Sequence, residues 1–361
     1  MNVVWLAHRD PRHPRAGGVE TCIEEIGSRL VDRGHAVTLV CPRFIDLPKN
    51  ESYRGINILR VGVNPFWAHL AYPFLSTSKK KDTVFIDDLG HVVPWLSPQL
   101  AKSPSVAFFH HLHARTLSGQ VSPALRLPLI ALEKTYPIIY RKTRFVTTSI
   151  DSMMDLQSLG IRQESITRIP LGVDSDFFTP TAKFEEPTVV YFGGFRNYKR
   201  ADIALKAFEL LMKRLPNAKM LLIGTGPTMQ FVQSLVEGSP ARHAISFLGR
   251  VPRTKLAQLI AGSWVNVHTA VHEGWGLSIL EASASGTPTV AFDVPGVRQV
   301  VLDNVNGLTV GDGDVNSLSE AMISVINRTR QLSPSCRSWS LKYSWDRCAA
   351  KWAVLLQNTL P

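Results

Sequence analysis

The residues best suited to chemistry lie in one run, His272-Glu273-Gly274-Trp275-Gly276-Leu277-Ser278-Ile279-Leu280-Glu281-Ala282-Ser283-Ala284-Ser285-Gly286-Thr287-Pro288. The pattern predicts a strand, a Gly-bearing turn and then a helix beginning at Leu277. Free backbone N–H groups at such a helix start point at any phosphate held there, and glycine lets the ligand come close to the backbone. Glu273 lies in the turn and Glu281 one helical turn into the helix, so both can face one pocket from different depths, as suits the hydroxyls of a sugar or ribose. The plainer reading makes Glu281 a solvated helix residue and Gly274 and Gly276 ordinary turn residues.

Two further groups carry charge or titrate near neutrality. Gly193-Gly194-Phe195-Arg196-Asn197-Tyr198-Lys199-Arg200 follows an apolar run and supplies three cations, which by charge alone read as a surface basic cluster. Phe108-Phe109-His110-His111-Leu112-His113 ends another apolar run, where a doubly wound sheet places ligands. Three histidines raise the question of a metal, but no carboxylate or cysteine is expected to join them, so packed or hydrogen-bonded rings are the alternative and no metal site is expected.

These residues need elements to hold them. Short β-rich runs alternate with amphipathic stretches along all 361 residues, the pattern of parallel sheets covered by helices. The first strand, Val3 to Ala7, leads through Gly17-Gly18 into a helix from Val19 to Arg33, closed by Gly34, and then a strand from Ala36 to Cys41. Strands are also expected at Ile56 to Val61, Thr83 to Ile86, Val106 to Phe109 and Phe145 to Thr148. Thr179 to Pro187 reads as a linker. The pattern restarts with strands at Thr188 to Phe192, Lys219 to Ile223, Ala244 to Phe247, Trp264 to His268 and Thr289 to Phe292. Helices are expected between them at Ala201 to Leu215, Gln230 to Glu237, Arg253 to Ala261 and Leu277 to Ser285. A terminal helix, Tyr343 to Gln357, would be capped by Ser344 with Ala349, Trp352, Ala353 and Leu356 on one face. The organisation is therefore α/β, with doubly wound domains over residues 1–178 and 188–342 and a closing helix over 343–361 that could return to the first domain.

The turns and their order resemble glycosyltransferase family 4. The carrier is E-G-W-G-L-S-I-L-E-A with A-S-G-T-P-T-V, similar to that family's glutamate-x7-glutamate signature. Gly17-Gly18-Val19-Glu20 resembles its N-terminal glycine loop, and Ile169-Pro170-Leu171-Gly172-Val173-Asp174 the segment before its linker. Gly224-Thr225-Gly226-Pro227 and Phe247-Leu248-Gly249-Arg250-Val251 resemble turns of its second domain.

The resemblance implies the GT-B architecture, two Rossmann-like domains facing across a cleft, and retaining transfer of a sugar from a nucleotide-diphosphate sugar to an acceptor hydroxyl without a cofactor or metal. It implies that Glu273 lies near the donor sugar, that Glu281 binds the ribose, and that amides around Gly274, Gly276, Leu277 and Ser278 hold the phosphates. Gly17 and Gly18 would close from the first domain, Gly249, Arg250 and Val251 would lie near the base, and His110 would point at the donor sugar. Lys199 matches the lysine of the family's G-R-x-x-x-x-K pattern, whose cations neutralise the leaving diphosphate. The arginine of that pattern falls on Gly194, a departure that leaves Arg196 or Arg200 to replace it.

Composition bounds the remainder. A formal charge of +11, with 45% hydrophobic and 19% charged residues, favours anionic ligands or surfaces, while no nucleic-acid recognition motif accompanies it. The opening residues lack a basic segment ahead of a signal-like apolar run, no apolar run reaches spanning length, and Cys22, Cys41, Cys336 and Cys348 lie far apart. A cytoplasmic protein is expected. Leu125 to Lys142 mixes apolar and basic residues, either a segment that meets an anionic membrane and a lipid-linked acceptor or a helix buried in its domain. An oxidoreductase lacks its G-x-G-x-x-G, since Met229 stands where the third glycine after Gly224 and Gly226 belongs. A sugar-nucleotide epimerase and a non-catalytic binding subunit remain the alternatives.

Overall fold

The computed structural model describes residues 1–44, 46–62, 82–118 and 120–361, and the chain divides into two units. The first comprises Met1–Leu117, Val121–Leu171 and Trp345–Pro361, and the second Gly172–Ser344 with Ser118–Gln120.

The first unit is built on β1 (Asn2–Leu6), β2 (Ala36–Pro42), β3 (Asn50–Tyr53), β4 (Ile56–Val61), β5 (Thr83–Leu89), β6 (Ser105–Phe109), β7 (Arg144–Thr147) and β8 (Ile166–Arg168), in the spatial order β3-β4-β2-β1-β5-β6-β7-β8. All neighbours are parallel except β3, an antiparallel edge strand on β4. The order reverses between β1 and β5, so ligand chemistry is expected beyond the carboxyl ends of those two strands. β5 is buried along its whole length, as a central parallel strand should be, yet carries Asp87 and Asp88. The helix Gly18–Asp32 begins with Glu20 accepting the Gly17 N–H at 2.7 Å. It ends at Gly34, whose φ of +80° supports bonds from its own N–H to Val31 O and from His35 N–H to Leu30 O.

The helix Trp345–Gln357 belongs to this unit. It buries Trp345, Cys348, Ala349, Trp352, Leu355 and Leu356, with the Trp352 ring 5.8 Å from Trp5 and 5.0 Å from Phe108. Arg29 of the first helix pairs with Asp346 at 3.2 Å.

The second unit holds β9 (Thr188–Phe192), β10 (Lys219–Ile223), β11 (Ile245–Gly249), β12 (Val265–His268), β13 (Thr289–Phe292) and β14 (Gly307–Val310), all parallel in the order β11-β10-β9-β12-β13-β14. Its reversal lies between β9 and β12. The stretch Thr179 to Pro187, expected as a linker, is docked on this unit instead. Lys183 donates to Ala261 O at 3.0 Å and Thr287 Oγ1 at 2.8 Å, the Phe184 N–H to Gly262 O at 2.8 Å, and Trp264 Nε1 to Phe184 O at 2.8 Å. Burial pulls the Lys183 amine down to about 8. The expected domain end at 178 therefore falls within the second unit, which takes up the chain at Gly172.

The expected strands and the helices of the second unit are present, with ends that coincide, as for Ile56–Val61, Thr188–Phe192, Lys219–Ile223 and Thr289–Phe292, or differ by up to three residues. The edge strands β3, β8 and β14 and the helix Val315–Ser340 were not expected; that helix carries Pro334 inside it and a weak apolar period, capped by Asp314 accepting the Ser317 N–H at 2.9 Å.

Candidate active site

In the second unit β9 and β12 are neighbours, and the chain leaves each at the carboxyl edge of the sheet. After β9 it turns through Gly193 and Gly194 into the one-turn helix Asn197–Lys199. After β12 it runs through Thr269 and Glu273 to the helix Leu277–Ala284. Thr269 ties the two segments, its hydroxyl lying 2.8 Å from the carbonyls of both Lys199 and Arg200, and the Val271 N–H donates to Tyr198 O at 2.9 Å. Lys199 and Glu273 thereby meet as an ion pair, and His268 Nε2 stands 3.0 Å from Glu273 Oε1.

Glu273 is held from behind. Its N–H donates to Pro295 O at 3.0 Å, and a Cβ at Gly296, whose φ is +79°, would lie 1.9 Å from Glu273 O, so only glycine fits there. Burial alone would push the Glu273 carboxyl up, but the Lys199 charge and the His268 bond outweigh it and hold the group well below the usual carboxylate range. Burial likewise works against the Lys199 charge, yet Glu273 holds that amine above its ordinary value. The pair is ionised and mutually neutralised at neutral pH.

The two candidate arginines separate clearly. Arg200 is committed: its guanidinium donates to Thr269 O at 2.7 Å, pairs with Asp312 and lies 4.8 Å over the Phe292 ring. Arg196 folds back over Gly194, so that a Cβ at that glycine would find Arg196 Nε at 3.7 Å and its Cγ and Cδ at 3.9 Å. Its Nη1 donates to the neutral amide of Gln120 at 3.3 Å, and among the described residues no carboxylate pairs with it.

The helix Leu277–Ala284 follows Gly276, whose φ of +73° excludes other residues without strain, and no side chain caps it. Gly274, Gly276, Leu277 and Ser278 thus lie on the turn that carries Glu273, and Glu281 lies one turn inside, half-exposed. Ser278 Oγ is 3.4 Å from His268 Nδ1. Gly249, Arg250 and Val251 leave β11 at the same sheet edge, where the Gly224 N–H donates to Gly249 O at 2.7 Å.

In the first unit Gly17 and Gly18 follow β1, and His110 follows β6. The His110 ring is buried, with Nε2 2.9 Å from Asp88 Oδ1. Asp88 also accepts from Trp5 Nε1 at 3.1 Å and the Gly90 N–H at 2.9 Å, so it fixes the ring's orientation. This corrects the expectation that no carboxylate joins the histidines: Asp88 holds His110, and buried Glu133 holds His113 at 3.1 Å. Their separate carboxylates divide the run, and among the described residues no three metal-ligating side chains are gathered together. Sequence reasoning missed His268 and Asp88. Both stand near the carboxyl ends of fully buried strands, the one available signal.

Two family models match the chain. One, glycosyl transferases group 1, matches residues 173–340, and the other, Glycosyltransferase Family 4, matches residues 16–177. The chain is 24% identical to the GDP-mannose-dependent alpha-(1-6)-phosphatidylinositol monomannoside mannosyltransferase of Mycolicibacterium smegmatis, covering 96% of both chains. It is 28% identical to the D-inositol 3-phosphate glycosyltransferase of Geodermatophilus obscurus, over 92% of this chain and 82% of that one. Among solved structures, sucrose-phosphate synthase from Thermosynechococcus elongatus superposes with a TM-score of 0.83 at 20% identity, covering 99% and 98% of the two chains, a likeness of fold.

Proposed function

The chain belongs to glycosyltransferase family 4 and has the GT-B fold, and from that premise we propose that it transfers a sugar from a nucleoside-diphosphate sugar to an acceptor hydroxyl with retention at the anomeric carbon. The observation that carries this reading is the Lys199–Glu273–His268 cluster beside an uncapped helix start at the β9/β12 reversal. A diphosphate there meets the amides of Leu277 and Ser278, while Glu281 takes the ribose hydroxyls. Gly249, Arg250 and Val251, at the end of β11, lie toward the base.

Charge decides which side chains assist departure. Lys199 is already neutralised by Glu273, so the pair alone brings no net charge to a leaving diphosphate. Arg196 brings a charge that no carboxylate among the described residues neutralises, and Gly194 leaves it room. Arg200 is spent on the fold.

As the bond from the anomeric carbon to the phosphate oxygen breaks, the acceptor oxygen bonds that carbon on the same face and its proton passes to the departing phosphate. Glu273 is then neither acid nor base. A carboxylate held ionised by Lys199 and His268 cannot donate a proton at neutral pH and is a weak acceptor of one. It orients Lys199 and the donor sugar. No step calls for a metal ion. NMR of the product's anomeric proton tests the stereochemistry: retention is expected, and an inverted product contradicts this route. Donor turnover should require acceptor, whereas an epimerase consumes donor alone and a binding subunit does neither.

A further inference from the structure

The helix Pro123–Glu133 of the first unit is fastened at one end. Its last residue, Glu133, is buried and accepts the N–H groups of His113 at 2.8 Å and Ala114 at 3.0 Å. Toward its other end every residue from Ser122 to Pro128 is exposed. Leu125 is 57% and Leu127 74% exposed, and Ile138, in the following short helix Tyr136–Ile139, is 78% exposed. Single exposed aliphatics are ordinary, but three on one projecting segment require a reason.

The charge on the same stretch has one sign. Arg126, Lys134, Arg141, Lys142 and Arg144 are exposed, and the one acid between positions 121 and 144 is the buried Glu133. Leu125 and Leu127 lie about 200° apart around the helix axis, so they do not form the single stripe that a protein groove takes. A fluid interfacial layer closes around both.

We infer that this face of the first unit docks on an anionic lipid bilayer, with Leu125, Leu127 and Ile138 entering the interfacial layer and the five cations meeting phosphate headgroups. The docking needs no donor and is independent of the transfer reaction, so it stands or falls separately from the function proposed above. It brings the unit that carries His110 to a surface where acceptors with lipid tails reside.

Co-sedimentation of the full chain with phosphatidylcholine vesicles, with and without about one third phosphatidylglycerol, tests it in the absence of nucleotide sugar. Binding to the anionic vesicles is expected, at least tenfold stronger than to neutral ones and weakened by salt. Removing one cation, as in Arg126→Ala, should weaken it on the order of fivefold. The double variant Leu125→Ser/Leu127→Ser should lose roughly tenfold or more with an unchanged melting temperature, since neither side chain packs in a core. Equal binding to neutral vesicles, no binding, or a double variant that binds like the wild type overturns the inference. So does concentration-dependent self-association abolished by the double variant without vesicle binding, which would assign the patch to a second copy of the chain.

Discussion

At the scale of single residues, the division of labour among the cations rests on geometry that spacing could not supply. Arg196 and Arg200 both lie within three residues of Lys199 in sequence, and only the fold shows Arg200 committed to carbonyls and Asp312 and Arg196 lying over Gly194. Replacing Arg196 by Ala should lower kcat/KM by about tenfold to a hundredfold, the loss of a charged hydrogen bond made to the leaving group, with little change in melting temperature. Arg200→Ala should do the reverse, lowering the melting temperature more than the activity of the folded fraction. Moving the guanidinium back, in the double variant Gly194→Arg/Arg196→Gly, should recover most of the lost rate. Steady-state kinetics with donor varied, beside thermal melts, separates these outcomes, and an Arg196→Ala enzyme with wild-type kinetics would remove that residue from the site. The placement of the glycines on turns and of Glu281 one turn into its helix was legible from the sequence because turn and helix start follow local rules. Asp88 was not, since it acts through a contact made across the neighbouring strands β5 and β6, and neither was His268, whose contact depends on how the loop after β12 brings Glu273 back to it.

At the scale of elements, β5 carries a titration built into a buried strand. Burial raises the Asp87 carboxyl to about 7, against the hydrogen bonds from the Ser97 N–H at 3.3 Å and Tyr140 OH at 3.0 Å that favour its charge. A carboxyl whose folded value is raised contributes most below its unfolded value of about 3.9 and loses that contribution as pH rises through about 7. The first unit should therefore be less stable at pH 8 than at pH 5 on this account, and Asp87→Asn should flatten that difference in denaturation followed by tryptophan fluorescence. An Asn variant with an undiminished slope would show that the titration lies elsewhere. In the Lys199–Glu273 pair only Glu273 has the opposite sign, and the two together leave a wide window. Glu273, held down, keeps its contribution until pH falls below about 4.3, and Lys199, held up, keeps its own until pH rises past about 10. Interior strands were readable because parallel strands buried on both faces are near-continuous apolar runs. Edge strands such as β3, with burial alternating along Asn50–Tyr53, and the helix through Pro334 carry weaker or contrary local signals.

At the scale of the whole molecule, the chain returns to its first unit at the end. Trp352 fills a site between Trp5 and Phe108, so Trp352→Ala should destabilise the first unit by about 3–5 kcal/mol, as large-to-small core changes do. Limited proteolysis should then release fragments of that unit first, while a second unit that fails equally would argue against this division. The alternation of strands and helices foretold two doubly wound units, but where the chain passes from one to the other depends on the docking of residues 172–187, and composition alone read that stretch as free. The central claim is that the carboxyl edge of the second sheet holds a nucleoside-diphosphate sugar. Its most direct test is the melting temperature of wild type, Glu281→Ala and Arg196→Ala across a panel of such donors, because a ligand that binds only the folded state must stabilise it. The account predicts that one donor raises the wild-type melting temperature by about a few degrees, that Glu281→Ala abolishes the rise and that Arg196→Ala reduces it. A panel in which no donor stabilises the wild type, or in which both variants respond as it does, would contradict the account.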